Sequence, residues 1–159
     1  MFSIFFGLLN EIVILQIFSI VLISALTGGP LGCQKYPLWQ FHLHWGSGDG
    51  WGSCHTLNGK SFAGEVHFAT WNKDRYESAS IAVDHPDGVV IMAFFLDLGK
   101  ENDEFREMIA NLHKIRYSGE TILGLKPIRL EKFLPEHMVS CINFKTTNIS
   151  TQYSSYFLI

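Results

Sequence analysis

No cluster of lysine and arginine in this 159-residue chain is long enough to form a nucleic-acid footprint, since 12 basic residues face 15 acidic ones for a net charge of −3. Nucleic acid is therefore not an expected partner. The three cysteines, Cys33, Cys54 and Cys141, include no C-x-x-C pair, which removes the spacing of a structural zinc or dithiol redox motif. An odd count leaves at least one thiol unpaired. No internal repeat or low-complexity linker is present, so a second globular domain is not expected. The 47% hydrophobic and 14% aromatic content is enough for one buried core.

The N-terminal stretch also lacks something. From Ile12 to Leu26 nearly every residue is apolar, yet no basic residue precedes the run, as a secretory signal would require. As a spanning helix it falls short of the ~20 apolar residues needed, and extending it backwards would place Glu11 in lipid. A signal, a membrane anchor and a divergent strand over residues 1–23 all stay open, with Val21 to Leu26 as a core strand leading into Gly28-Gly29. Secreted or membrane-associated and cytoplasmic locations are both compatible with this. The Asn148-Ile149-Ser150 sequon is usable only on the secretory route.

What the chain does contain is histidine in a telling pattern. In Trp39-Gln40-Phe41-His42-Leu43-His44-Trp45, two histidines alternate with large hydrophobes, and His67 sits on a second stretch of similar pattern. Along a strand, residues i and i+2 share a face with Cα atoms roughly 6.5 to 7 Å apart, so His42 and His44 can converge on one ion. A face opposite Phe41, Leu43 and Trp45 would otherwise have no use for paired imidazoles. Glu65 precedes His67 by two residues and can accept the ring N–H turned away from a metal, as Gln40 can for His42. Zinc needs about 2.0 to 2.1 Å to each nitrogen. Three imidazoles leave a fourth position for water, whose pKa the cation can lower from about 15.7 to about 7. The remaining histidines, His55, His85, His113 and His137, are expected to be packed, hydrogen-bonded side chains.

These residues belong to a longer pattern. Gly28-Gly29-Pro30-Leu31, Gln40 to Ser47, Gly52-Ser53, His55-Thr56, Gly59-Lys60, Glu65-Val66-His67 with Trp71-Asn72, Pro86-Asp87-Gly88 and Leu134-Pro135 follow one another in an order that resembles an alpha-class carbonic anhydrase. The resemblance covers about residues 24 to 136. It implies a mainly β fold with minor α, built on a twisted, mostly antiparallel sheet. It also implies zinc on His42, His44 and His67, with Gln40 and Glu65 supporting the ligands. The reaction it implies is reversible hydration of carbon dioxide to bicarbonate and a proton by zinc-bound hydroxide. Ala69, Val89 and Ile91 match the apolar wall that holds carbon dioxide.

The departures from that pattern carry their own expectations. Cys54 stands where the family has a glutamate, and no segment matches the threonine that this glutamate orients. The usual proton-shuttling histidine also has no counterpart, so no catalytic side chain is assigned. General acid–base help typically supplies about 10²- to 10⁴-fold, and impaired turnover is expected. The resemblance fades in residues 137–159, and the chain is short for the family. An incomplete zinc domain at 24–136 flanked by divergent ends, in a truncated isoform with unpaired sheet edges, is the expectation. A noncatalytic zinc-binding relative or a poorly folded product is the alternative. Cys54 is expected to be a buried thiol rather than a nucleophile.

Local patterns complete the reading. Gly46 to Gly52 reads as a turn-rich loop. Ser80 to Val83 and Val89 to Leu96 read as two strands joined by a tight turn. Between Glu101 and Ile115, Phe105, Met108, Ile109 and Leu112 recur at helical spacing as core packing, with Asn102 or Asp103 as N-cap.

Overall fold

A computed structural model describes residues 4–9, 12–17, 25–114, 129, 132, 142–145 and 153–158. Among the described residues seven strands form one sheet: β1 (Ile4–Leu9), β2 (Ile12–Ile17), β3 (Leu38–Trp45), β4 (Gly64–Trp71), β5 (Val89–Leu96), β6 (Ile142–Lys145) and β7 (Tyr153–Leu158). Their spatial order is β1-β2-β3-β4-β5-β7-β6, and every neighbouring pair is antiparallel except β5 with β7. The α-helices among the described residues are short: α1 (Ala79–Ala82) and α2 (Asp103–Asn111). The mainly β, mostly antiparallel architecture is the one expected.

The alternation in β3, β4 and β5 divides the sheet into two faces. Phe41, Val66, Phe68, Met92 and Phe94 project to one side, where Phe105 and Met108 of α2 complete a buried cluster. Leu43 and Trp45 pack against its margin. Gln40, His42, His44, Glu65 and His67 take the alternate positions and therefore share the other face. Burying apolar area at roughly 25 cal/mol per Å² on the first face supplies the stability against which the polar second face is held. β4 is buried along nearly its whole length because β3 and β5 pair with it on both sides.

Three local readings need correction. Residues 80–83 are not a strand: Ala79–Ala82 is a helical turn, capped by the Ser78 hydroxyl accepting from the Ile81 amide. Ala79 and Ala82, three apart, are its buried residues, a helical rather than an alternating spacing. In α2, Asn102 is the N-cap, with its side chain accepting from the Glu104 amide, while Ile109 is exposed and not part of the core stripe. Cys54 lies on the loop between β3 and β4 and is exposed as a residue, while its sulfur is turned inward against Glu65 and His67.

The apolar N-terminal run contributes Ile12–Ile17 as β2, whose Ile14 and Gln16 stand opposite His44 and His42. No helix among the described residues is long and apolar enough to cross a membrane. Val21 to Ser24, Leu134, Pro135, His137, Cys141 and the Asn148 sequon lie outside the described residues.

Candidate metal centre

Strand register brings the histidines together. His42 and His67 are direct cross-strand partners on β3 and β4, and His44 stands opposite Glu65. The ring centroids of His42, His44 and His67 lie 4.6 to 5.0 Å apart in every pairing. One ring nitrogen from each falls within 4.8 Å of the others.

The hydrogen bonds around these rings fix which nitrogens face inward. His42 Nδ1 stands 3.3 Å from the Gln40 side-chain carbonyl, which can only accept, so Nδ1 donates and Nε2 keeps its lone pair. His67 Nε2 stands 2.7 Å from a Glu65 carboxylate oxygen, so Nε2 donates and Nδ1 keeps its lone pair. Those two bare nitrogens face one another at 3.1 Å. Two lone pairs at that distance repel unless a proton or a cation lies between them. His44 is buried, and neither of its ring nitrogens has a hydrogen-bond partner. An unpaired buried polar group costs about 1 to 3 kcal/mol, a penalty that a coordinated cation removes. The donor set therefore fits a metal.

Burial is the first reason that His42 is lowered to about 3 and His44 to about 4 from 6.5, followed in each case by the interaction with His67. Neutral imidazoles are the form that binds a cation. Glu65 is fully buried. Burial alone would raise its carboxyl, but hydrogen bonds from His55 and His67 outweigh it and hold the group well below the usual carboxylate range.

The site's surroundings were only partly anticipated. His55 donates from its backbone amide to Glu65 Oε2 at 2.9 Å and places Nδ1 2.8 Å from Oε1. It is a hydrogen-bonded histidine, as expected, but one that braces the centre. The Cys54 thiol donates to Glu65 Oε2 at 3.2 Å. Burial of the sulfur and the neighbouring Glu65 charge push this thiol well up. That contact was missed, since Cys54 and Glu65 stand 11 positions apart and no local pattern joins them. His85 stacks on Tyr76, and His113 is exposed. Ala69 and Val89 are buried and Ile91 half-buried, at alternate positions of β4 and β5 on the histidine face. Ala69 pairs with Ile91, one same-face step along the sheet from His67.

A profile of the eukaryotic-type carbonic anhydrase family matches residues 13–147. The chain belongs to this family. The match extends beyond 24–136 at both ends. Over 97 residues the chain is 46% identical to carbonic anhydrase 3 of Sus scrofa, covering 61% of this chain and 36% of that protein. Carbonic anhydrase 3 of Homo sapiens is 43% identical with the same coverage, 61% and 36%. Carbonic anhydrase 1 of Oryctolagus cuniculus is 38% identical, covering 61% of this chain and 41% of that protein. The aligned part is thus well under half the length of these carbonic anhydrases. Zinc is the general metal of the family, and the three-histidine cluster is one that can hold a metal.

Proposed function

We propose that the chain binds Zn²⁺ through His42 Nε2, His67 Nδ1 and one ring nitrogen of His44, and hydrates carbon dioxide reversibly with impaired turnover. The observation that carries this reading is the inward-facing nitrogen set, with its bare 3.1 Å contact and the unpartnered His44 ring. A Zn²⁺ ion held there supplies Lewis-acid activation of water, lowering its pKa from about 15.7 to about 7.

The chain's own residues perform the rest. Gln40 and Glu65 hold His42 and His67 in the tautomers that leave the inward nitrogens free. Ala69, Val89 and Ile91 offer an apolar wall on the same face, where a nonpolar gas is held without competing hydrogen bonds. Turnover is limited because Cys54 occupies the position of the family's aiming carboxylate and spends its thiol hydrogen bond on Glu65. The same observation favours, as second reading, a zinc-binding member without catalysis.

Stopped-flow carbon dioxide hydration on the full chain, with zinc content measured in parallel, tests both readings. The expected result is chelator-sensitive hydration that disappears in His44→Ala together with one zinc ion per chain. Stoichiometric zinc with no hydration selects the noncatalytic reading, and zinc content unchanged by His44→Ala rejects the ligand set.

A further inference from the structure

A second group of metal-binding atoms lies behind the first. The sulfur of Cys54 stands 3.4 Å from His55 Nδ1, 3.2 Å from Glu65 Oε2 and 3.6 Å from His67 Nε2. Glu65 Oε1 is 2.8 Å from His55 Nδ1 and 2.7 Å from His67 Nε2. One ligand atom from each of these residues lies within 4.8 Å of the others. Around a tetrahedral zinc with bonds of about 2.3 Å to sulfur and about 2.0 Å to nitrogen or oxygen, the ligand-to-ligand edges are about 3.3 to 3.6 Å. The sulfur contacts already have roughly that length. The shorter contacts to Glu65 are hydrogen bonds, which lengthen modestly when a cation replaces the protons.

We propose that Cys54, His55, Glu65 and His67 form a second cation site, selective for thiophilic divalent ions of the zinc and cadmium class, with His67 shared between it and the three-histidine centre. His67 is suited to this because its two nitrogens face opposite groups, Nδ1 towards His42 and Nε2 towards Glu65 and Cys54. Thiolate ligation selects soft ions over magnesium or calcium, which prefer oxygen. Access is from the loop side, where the His55 side chain is 40% exposed and the Cys54 residue reaches the surface with its sulfur turned inward. Loading is balanced in protons. The Cys54 thiol and the His67 Nε2–H each release one to solvent, and His55 moves its proton from Nδ1 to Nε2. The inference rests on the three-histidine reading only through the shared His67.

The test is a cadmium titration of the full chain, read by near-ultraviolet absorption and by total bound metal. The expected result is two ions per chain, one of them giving a thiolate-to-cadmium charge-transfer band. Cys54→Ser should abolish the band and lower the total to one. Should that variant not fold, X-ray absorption of the zinc-loaded parent decides, with a sulfur scatterer expected at about 2.3 Å. No band at saturation, a band that survives Cys54→Ser, or a zinc shell of nitrogen and oxygen alone overturns the proposal. His44→Ala reports separately on the first centre. It should remove one ion and keep the band, whereas a total unmoved by it overturns the three-histidine reading and leaves the thiolate site standing.

Discussion

The Glu65 carboxylate sits 2.7 Å from Nε2 of His67, on the side of the ring away from His42. Both residues come from β4, two positions apart, so one strand supplies a proposed ligand and the group that orients it. The same carboxylate receives the His55 amide and the Cys54 thiol, which makes it the hub joining strand to loop.

Replacing that hub should weaken metal binding at the three-histidine centre without removing any of the three histidines proposed to hold it. Glu65→Gln leaves an amide that no longer anchors both histidines as a charged acceptor, and a loss of supporting bonds of this kind lowers metal affinity by roughly 10- to 100-fold. Competition against a chromophoric chelator measures it. An affinity within twofold of the parent would contradict the hub role.

The metal-free chain should lose stability in mild acid. His42 and His44 titrate at about 3 and about 4 when folded against 6.5 otherwise, so the unfolded chain binds more protons throughout that interval. Stability is therefore complete above 6.5 and declines as pH falls towards 4. The depressed Glu65 carboxyl adds a decline of the same sign below its ordinary 4.5. Urea midpoints in chelator should be lower at about pH 5 than at about pH 7.5. Equal or higher midpoints at the acid end would rule out the lowered histidine values.

Loop placement depends on a missing side chain at Gly52. A Cβ there would stand 1.8 Å from the Ala63 carbonyl oxygen, which is backbone and cannot rotate away. Gly52 also donates its amide to Phe62, which holds the loop leading to Cys54 and His55 against the start of β4. Gly52→Ala should destabilise the chain by about 1 to 3 kcal/mol, in the range of other overpacked sites. Denaturant unfolding checks this, and a change below ~0.5 kcal/mol would mean that the close approach is relieved at little cost.

The alternation of Phe41, Leu43 and Trp45 with His42 and His44 was legible because side chains on a strand alternate by covalent geometry, independent of what packs around them. Glu65 with His67 followed from the same rule. The Ala79–Ala82 turn was not legible, since short apolar segments flanked by serine fit either period and the buried side is chosen only by contact with the sheet. Ile109 fits the helical stripe by spacing, yet Phe105, Met108 and Leu112 meet the core and leave it exposed.

The order of motifs along the chain was enough for the family, and the period of two was enough for the two-faced strands and for which residues each strand contributes to the polar face. Tertiary structure alone decided that His67 Nδ1 meets His42 Nε2 and that Cys54 and His55 fold back onto Glu65. Cross-strand register and the path of the loop at residues 52–63 set those distances. Both are consequences of how the whole sheet packs, since residues far apart in the chain have no local rule that fixes their separation.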